Sequence, residues 1–358
     1  MLRTLARRPK RFLKQTASFL MGAAVVLLYH RVYDTDFDPL LLSVSPDNFD
    51  AQMTYLRRRY ALLSLEELRG ALEKGSLPRG AVAITFDDGY GDNLRNARPI
   101  LDRHQIPATV FVTTGYTGSG REFWWDELGR TLFFAPRLHE RLSLNVAGTP
   151  REWAMGSASR MTMKERLADR SWTILREDNP TELHRAYREI QPILSRAPSD
   201  QRDRMLLELR EQTGSDGSHG SQDAAPADPV SDSLAMTRDE LRALVQGGLI
   251  TIGAHTVTHP VLSTLTPEAA AYEIRQSKED LQQVLGGAVV SFAYPYGYWG
   301  AYTPQNVADV RAAGLADAYS NFGGAVRPHA NPYELNRILV RNWSLDEFGR
   351  VVRQSFGD

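Results

Sequence analysis

Ala81-Val-Ala-Ile-Thr-Phe-Asp-Asp-Gly-Tyr90 decides how the rest of this 358-residue chain is read. Its first six residues are small, apolar or β-branched with no polar alternation, the pattern of a parallel strand covered on both faces. The run stops at two adjacent carboxylates, Asp87 and Asp88, followed by a glycine. An Asp-Gly turn ends many strands. Two carboxylates at the end of a buried strand are nevertheless costly unless a cation or hydrogen-bond donors receive their charge. A second stretch bears on that choice. In Leu249-Ile-Thr-Ile-Gly-Ala-His-Thr-Val-Thr-His-Pro260, another apolar run ends in His255 and His259. Imidazoles at this spacing share a face if the segment makes one helical turn, and Pro260 stops that turn from continuing as an ordinary helix. Two histidines and one aspartate suit Zn²⁺ or a similar divalent ion and leave a coordination position for water.

Strand-like runs at residues 25–29, 60–63, 81–86, 108–113, 249–254, 289–293, 317–320 and 337–341 alternate with helices. The helix starts are marked by Ser45-Pro46, by Thr266-Pro267, and by Ser64 with Glu67 and Thr237 with Glu240 as capping boxes. This order predicts an α/β fold, an irregular (β/α) barrel of seven or eight parallel strands. The count turns on the short second and seventh runs. His30, Asp87, Asp88, His255 and Tyr294 all fall just past strand C-termini, which share one face of a barrel, where active sites are built.

Residues 120–212 interrupt the alternation and are expected to form a mainly helical insertion. It opens with Phe123-Trp124-Trp125-Asp126, and these indoles either anchor the inserted helices to the barrel or, as expected for Trp125, offer an aromatic face to a ligand at the mouth of the site. Residues 213–235, rich in Gly, Ser, Asp, Ala and Pro, read as a flexible linker. The barrel is then assigned residues 21–119 and 236–358. Residues 1–20 form a basic arm, with Arg3, Arg7, Arg8, Lys10, Arg11 and Lys14 and no acid in its first fourteen positions.

The apolar run from 17 to 28 is too short to span a bilayer as a helix. Gly22 and Ala24 imitate a signal cleavage site, but residues 25–29 read as the first strand. The arm is therefore expected to be retained, either touching an anionic membrane surface or solvated. A cytoplasmic location is expected, with membrane association and export both left open. A net charge of −1 gives no basic field for nucleic acid. The absence of cysteine excludes disulfides and thiolate zinc sites. Oligomeric state is not legible in the sequence.

Thr85-Phe-Asp-Asp-Gly89 and His255-Thr-Val-Thr-His259 resemble the first two motifs of the polysaccharide deacetylases, the NodB-homology carbohydrate esterases. Phe292-Ala-Tyr-Pro-Tyr-Gly297 and Leu28-Tyr-His-Arg-Val32 resemble the exopolysaccharide branch of that family. The resemblance covers roughly residues 24–115 and 235–355 and rests on the joint spacing of the motifs. It implies a metal-dependent hydrolase that removes N-acetyl groups from amino sugars of a polysaccharide or its precursor. The alternatives are a deformylase, an O-acetyl esterase, another amidase, or a silent carbohydrate-binding protein.

By that resemblance Asp88, His255 and His259 hold the metal, Zn²⁺ or else Co²⁺, Ni²⁺ or Fe²⁺. Asp87 is the general base, the backbone N–H of Tyr296 faces the oxyanion, Tyr294 lies at the substrate, and Trp343 lines the acyl pocket. Three departures stand out. No Leu-x-His supplies the general acid, which leaves His30 at the end of the first strand, or His329 in Arg327-Pro-His-Ala-Asn-Pro332. Ala293 replaces an arginine that braces the base in relatives, and Arg337 or Arg341 on the last strand is the available substitute. Asn342 stands where an aspartate commonly accompanies the tryptophan.

Overall fold

The computed structural model describes residues 22–215 and 233–357. The basic arm and residues 216–232 of the expected linker lie outside the described residues. Two compact units emerge. One takes in the chain up to Asp34, Leu42–Ser119 and the chain from Ala235 onward; the other is Thr35–Leu41 with Gly120–Leu234.

The first unit is built on eight parallel strands: β1 (Ala24–Tyr29), β2 (Ala61–Leu62), β3 (Ala81–Phe86), β4 (Ala108–Val112), β5 (Ile250–Ala254), β6 (Ser291–Ala293), β7 (Asp317–Tyr319) and β8 (Ile338–Leu339). Seven run in the order β7-β6-β5-β4-β3-β1-β8 and curl into a half-barrel, while β2 pairs only with the first two residues of β3. An isolated parallel bridge, Tyr319 to Leu335, ties β7 to the segment leading into β8. Strands β1 and β3 align from Ala24 opposite Ala81 to Tyr29 opposite Phe86. His30 and Asp87 therefore leave the sheet at the same level.

Strand alternation sorts the side chains into two layers. Val25, Leu27, Tyr29, Val82, Ile84, Phe86, Val110, Ile252, Phe292 and Tyr294 pack with the helix residues Phe49, Met53 and Leu56 of α1 (Pro46–Arg59). Ala24, Val26, Ala81, Ala83, Phe111, Ala293 and Tyr319 share the opposite, enclosed layer. Small residues dominate that side, and the space they leave is filled by Phe111, Tyr319 and the fully buried Arg337. Gly253 belongs to the same economy of space: a Cβ there would lie 2.4 Å from the Phe111 ring.

Local signals in the sequence explain the helix starts. Ser45 caps α1 by accepting from the Asn48 N–H, with Pro46 in the first turn. Ser64 with Glu67 opens α2 (Leu65–Glu73) through a complete capping box, and Thr237 with Glu240 does the same for the helix Arg238–Leu244. Between β3 and β4 a π-turn (Asn93–Ala97) precedes α3 (Arg98–His104). Pro99 has no N–H to donate back to Arg95, and the Arg98 N–H bonds Asn93 instead, the wider spacing of a π-turn.

The second unit contains the helices Trp124–Phe133, Glu182–Arg196 and Ser199–Thr213. It also holds an antiparallel hairpin, Arg141–Val146 with Thr149–Ala154, turned by Ala147 and Gly148, both at positive φ. Residues 35–41, which the sequence reading left in the barrel, belong to this unit.

Gly253→Ala is expected to destabilise the protein by about 1–3 kcal/mol through overpacking against Phe111. Urea unfolding should show a lower midpoint at unchanged slope. An unchanged midpoint would mean that the Phe111 ring can move aside.

Candidate active site

The Asp87 N–H donates to the Tyr29 carbonyl at 2.9 Å and so extends the β1–β3 ladder by one step. The chain then turns sharply, with Asp88 at φ +73° and Gly89 at +89°. Val112 is the reason for the glycine, because a Cβ at position 89 would lie 3.2 Å from its methyl groups.

Asp87 faces the enclosed side of the sheet. There Arg337, immediately before β8, grips it as a fork, Nη1 to Oδ1 at 2.6 Å and Nη2 to Oδ2 at 2.7 Å. The guanidinium also donates to the Ser320 carbonyl at 3.2 Å and lies over the Phe111 ring at 5.4 Å. Burial by itself pushes the Asp87 carboxyl up, but Arg337 and then His255 outweigh it and hold the group below the usual carboxylate range. Of the two arginines named as substitutes, Arg337 is the one that forks Asp87.

His255 continues the β4–β5 ladder through its N–H to the Val112 carbonyl at 3.0 Å. Its Nδ1 lies 2.7 Å from the Ala293 carbonyl, which places the proton there and leaves the Nε2 lone pair facing the carboxylates. Burial lowers the imidazole pKa against the pull of Asp87, so the ring is held in the neutral, ligating form. Nε2 stands 3.7 Å from both Asp88 Oδ1 and Asp87 Oδ2, and His259 Nε2 stands 3.4 Å from Asp88 Oδ1. One donor atom each from Asp88, His255 and His259 falls within a 4.8 Å group, and all three residues are buried. One carboxylate and two imidazoles collected at this spacing fit a divalent cation.

The segment between the histidines is not the helical turn expected from their spacing. Thr256 and His259 both take positive φ, +66° and +55°. The cause is Glu273, on α4 (Pro267–Leu285), which accepts from the N–H groups of Val257 and Thr258 at 2.7 and 2.9 Å and from the Thr258 hydroxyl at 2.7 Å. Those N–H groups aim at a side chain and not at preceding carbonyls. Thr256 Oγ1 adds a bond from the His259 N–H at 3.1 Å. The sequence reading missed Glu273, although an acid among Ala270, Ile274, Ser277 and Leu281 on a buried helix face was the available signal.

Tyr296 is a further non-glycine residue at positive φ, +61°, and its ring meets His259 at 4.8 Å. Asp88, Thr256, His259 and Tyr296 are thus all held in left-handed backbone, each at a cost of about 1–3 kcal/mol, as is common where a site fixes its geometry.

His30 leaves β1 beside β8, and its carbonyl accepts from Asn93 Nδ2 at 2.9 Å. Burial lowers its pKa to about 4, with Asp87 opposing and Arg337 reinforcing the shift, so it is neutral near pH 7. Its Nδ1 is buried and has no hydrogen-bond partner among the described residues. His329 is elsewhere. It is exposed, three residues past Val326, which pairs with Ala24 at the first residue of β1 and so belongs to the opposite end of the sheet.

Two further residues named from the sequence are buried in aromatic packing. Tyr294 follows strand parity outward with Phe292, is fully buried, stacks on Tyr302 at 3.8 Å and donates to the Tyr333 carbonyl at 3.0 Å. Trp125 is buried within the second unit, stacked on Phe123 at 4.9 Å and edge-on to Trp124. Trp343 follows β8 and is half-buried against the helix-side layer. Asn342 accepts from the Ser45 N–H at 3.1 Å and from Asn48 Nδ2 at 2.6 Å, joining the cap of α1.

A family model described as polysaccharide deacetylase matches residues 74–133 and 224–315. Over those residues the chain carries a polysaccharide deacetylase domain. The matched residues contain Asp87, Asp88, His255, His259 and Tyr296, while His30, Arg337 and Trp343 lie outside them. A poly-β-1,6-N-acetyl-D-glucosamine N-deacetylase of Staphylococcus aureus is 35% identical over 110 residues, and the match takes in 27% of this chain and 38% of that protein's length. Among solved structures, a Streptococcus pyogenes deacetylase, PplD, in complex with acetate superposes with a TM-score of 0.55 at 19% identity, covering 92% of this chain and 98% of that one. IcaB of Ammonifex degensii gives 0.55 at 19% identity over 94% and 97%. At such identities the two structures speak for the shared barrel fold.

Two outcomes follow from the packing of the site. Glu273→Gln should weaken Zn²⁺ affinity about 10- to 100-fold while the fold persists, read by competition with a chelating dye; wild-type affinity would remove Glu273 from the site. In metal-free protein, Arg337→Met leaves Asp87 buried without its counter-ion and should destabilise by about 3–5 kcal/mol at pH 7. The wild-type Asp87 carboxyl is depressed, so its contribution is present above the ordinary pKa of 3.8 and is lost as pH falls through the folded value. The difference between the two proteins should therefore shrink in acid; a pH-independent difference would contradict an ionised Asp87.

Proposed function

We propose that this chain is a divalent-metal-dependent hydrolase that removes N-acetyl groups from the amino sugars of a polysaccharide or its precursor. The observation that carries the reading is the division between two neighbouring carboxylates. Asp88 turns toward two imidazoles, while Asp87 is forked by Arg337 and held ionised. The partial match to a poly-β-1,6-N-acetyl-D-glucosamine N-deacetylase supports an N-acetylated polysaccharide as the substrate class.

Asp88, His255 and His259 would hold the ion, with Zn²⁺, Co²⁺, Ni²⁺ and Fe²⁺ all compatible with one carboxylate and two imidazoles. When bound, such a cation polarises an amide carbonyl and lowers the pKa of water toward about 7. Asp87 serves as general base. Its fork with Arg337 uses part of a carboxylate's roughly four acceptor positions, so acceptor capacity remains for a water proton. The Tyr296 N–H stabilises the oxyanion, in a peptide fixed by its left-handed backbone and by the Asn321 N–H to Gly297 carbonyl bond at 2.8 Å. His30, neutral at rest, delivers to the leaving amine a proton that it acquires within the cycle. The water oxygen ends on the acyl carbon, the C–N bond breaks, and the protons of water are shared between product amine and solvent.

Purified protein should release acetate from poly-β-1,6-N-acetylglucosamine or chito-oligosaccharides, lose activity to a chelator and regain it with Zn²⁺ or Co²⁺. Asp87→Asn should lower turnover by at least about 10²-fold with metal content retained, whereas Asp88→Ala should lose the metal. Full turnover in Asp87→Asn would remove the base, and formate release outpacing acetate would make the enzyme a deformylase.

A further inference from the structure

Beyond the site, the loops that follow β6 and β7 carry an aromatic surface that the chemistry above does not use. Trp299 is 87% exposed, Tyr298 42% and Phe322 39%, three of the nine large apolar side chains exposed among the described residues. The Trp299 and Phe322 rings lie 5.7 Å apart and remain open to solvent. The surface is continuous with the site, because the Tyr296 ring stands between His259 at 4.8 Å and Tyr298 at 6.2 Å.

The surface is also rigidly supported. Phe322 stacks on Tyr302 at 6.0 Å, Tyr302 stacks on the buried Tyr294 at 3.8 Å, and Tyr294 is pinned through its hydroxyl to the Tyr333 carbonyl. Asn321 and Gly297 bond the two loops together, and Ser263 holds the Trp299 turn through its bond to the Gly300 carbonyl at 2.6 Å. Exposed aromatics on a mobile loop would lose much of any binding energy to ordering, whereas these are ordered already. Residues 294–303 and 320–325 contain no Lys, Arg, Asp or Glu. An anionic lipid surface is drawn by basic residues, which are missing here. Open aromatic faces in neutral loops suit the apolar face of an uncharged pyranose.

We propose that Tyr298, Trp299 and Phe322 form a platform for sugar rings flanking the residue whose acyl group is removed. This rests on the proposed function and extends it: the substrate is a chain of several uncharged pyranose units, and Tyr294 acts through Tyr302 as a positioning residue beneath the platform.

The test compares a pentamer and a dimer of β-1,6-linked N-acetylglucosamine. Trp299→Ala should reduce the pentamer-to-dimer ratio of kcat/KM about tenfold, mainly through KM, and Trp299→Tyr should restore most of it. An unchanged ratio overturns the platform. A parallel titration of metal-free protein with the pentamer, read by calorimetry, is independent of turnover. There Trp299→Ala and Phe322→Ala should each weaken binding by a similar factor, and equal binding to wild type overturns the inference. If the wild type binds the pentamer through Trp299 but releases no acetate, the proposed function fails and the platform stands. Binding to vesicles of phosphatidylcholine with phosphatidylglycerol that depends on Trp299, with pentamer binding unaffected by Trp299→Ala, assigns the surface to a membrane and overturns it.

Discussion

The fork between Arg337 and Asp87 is the interaction on which the site depends. A carboxylate that is 3% exposed on the enclosed side of a parallel sheet would by burial alone tend to be protonated. Two short charge-assisted bonds from one guanidinium reverse that tendency. The fork needs room, and the sheet supplies it through Ala81, Ala83, Gly253 and Ala293, which leave the enclosed layer to Phe111, Tyr319 and Arg337. Packing and chemistry are therefore one problem here. The same small residues that let Phe111 lie beneath the guanidinium set the height at which Asp87 is presented.

Around that fixed carboxylate, two of the three candidate metal donors, Asp88 and His259, are held by backbone that would not adopt its conformation unaided. Asp88, Thr256 and His259 are all in the left-handed region, and neighbouring elements bond the turns that contain them. Thr113 donates its N–H to the Asp88 carbonyl, Glu273 gathers the N–H groups of Val257 and Thr258, and Ala293 orients His255. The donor positions are thus set by three neighbouring elements. Such outer contacts govern how tightly and in which orientation ligands are offered to an ion.

Much of this could be read from residue order. The strand at Ala81–Phe86 was legible because it is a local pattern, and the helix caps were legible because capping is a local bond. Arg337 was nameable as a substitute only because Ala293 left a role vacant. The outward direction of Tyr294 was available from strand parity with Phe292 and was overlooked in favour of its position past a strand end. The conformation between His255 and His259 was not available, since it depends on a side chain fourteen residues beyond His259 in sequence. The assignment of residues 35–41 to the second unit is set by packing partners distant in the chain.

In the proposed site one ion belongs to Asp88, His255 and His259 while Asp87 stays on Arg337. An anomalous difference map from a crystal of this protein grown with Zn²⁺ tests it directly. The expected result is a single strong peak among Asp88 Oδ1, His255 Nε2 and His259 Nε2, with the Asp87–Arg337 fork intact. A peak that takes Asp87 as a ligand and displaces Arg337, or no peak among the three residues, would contradict it.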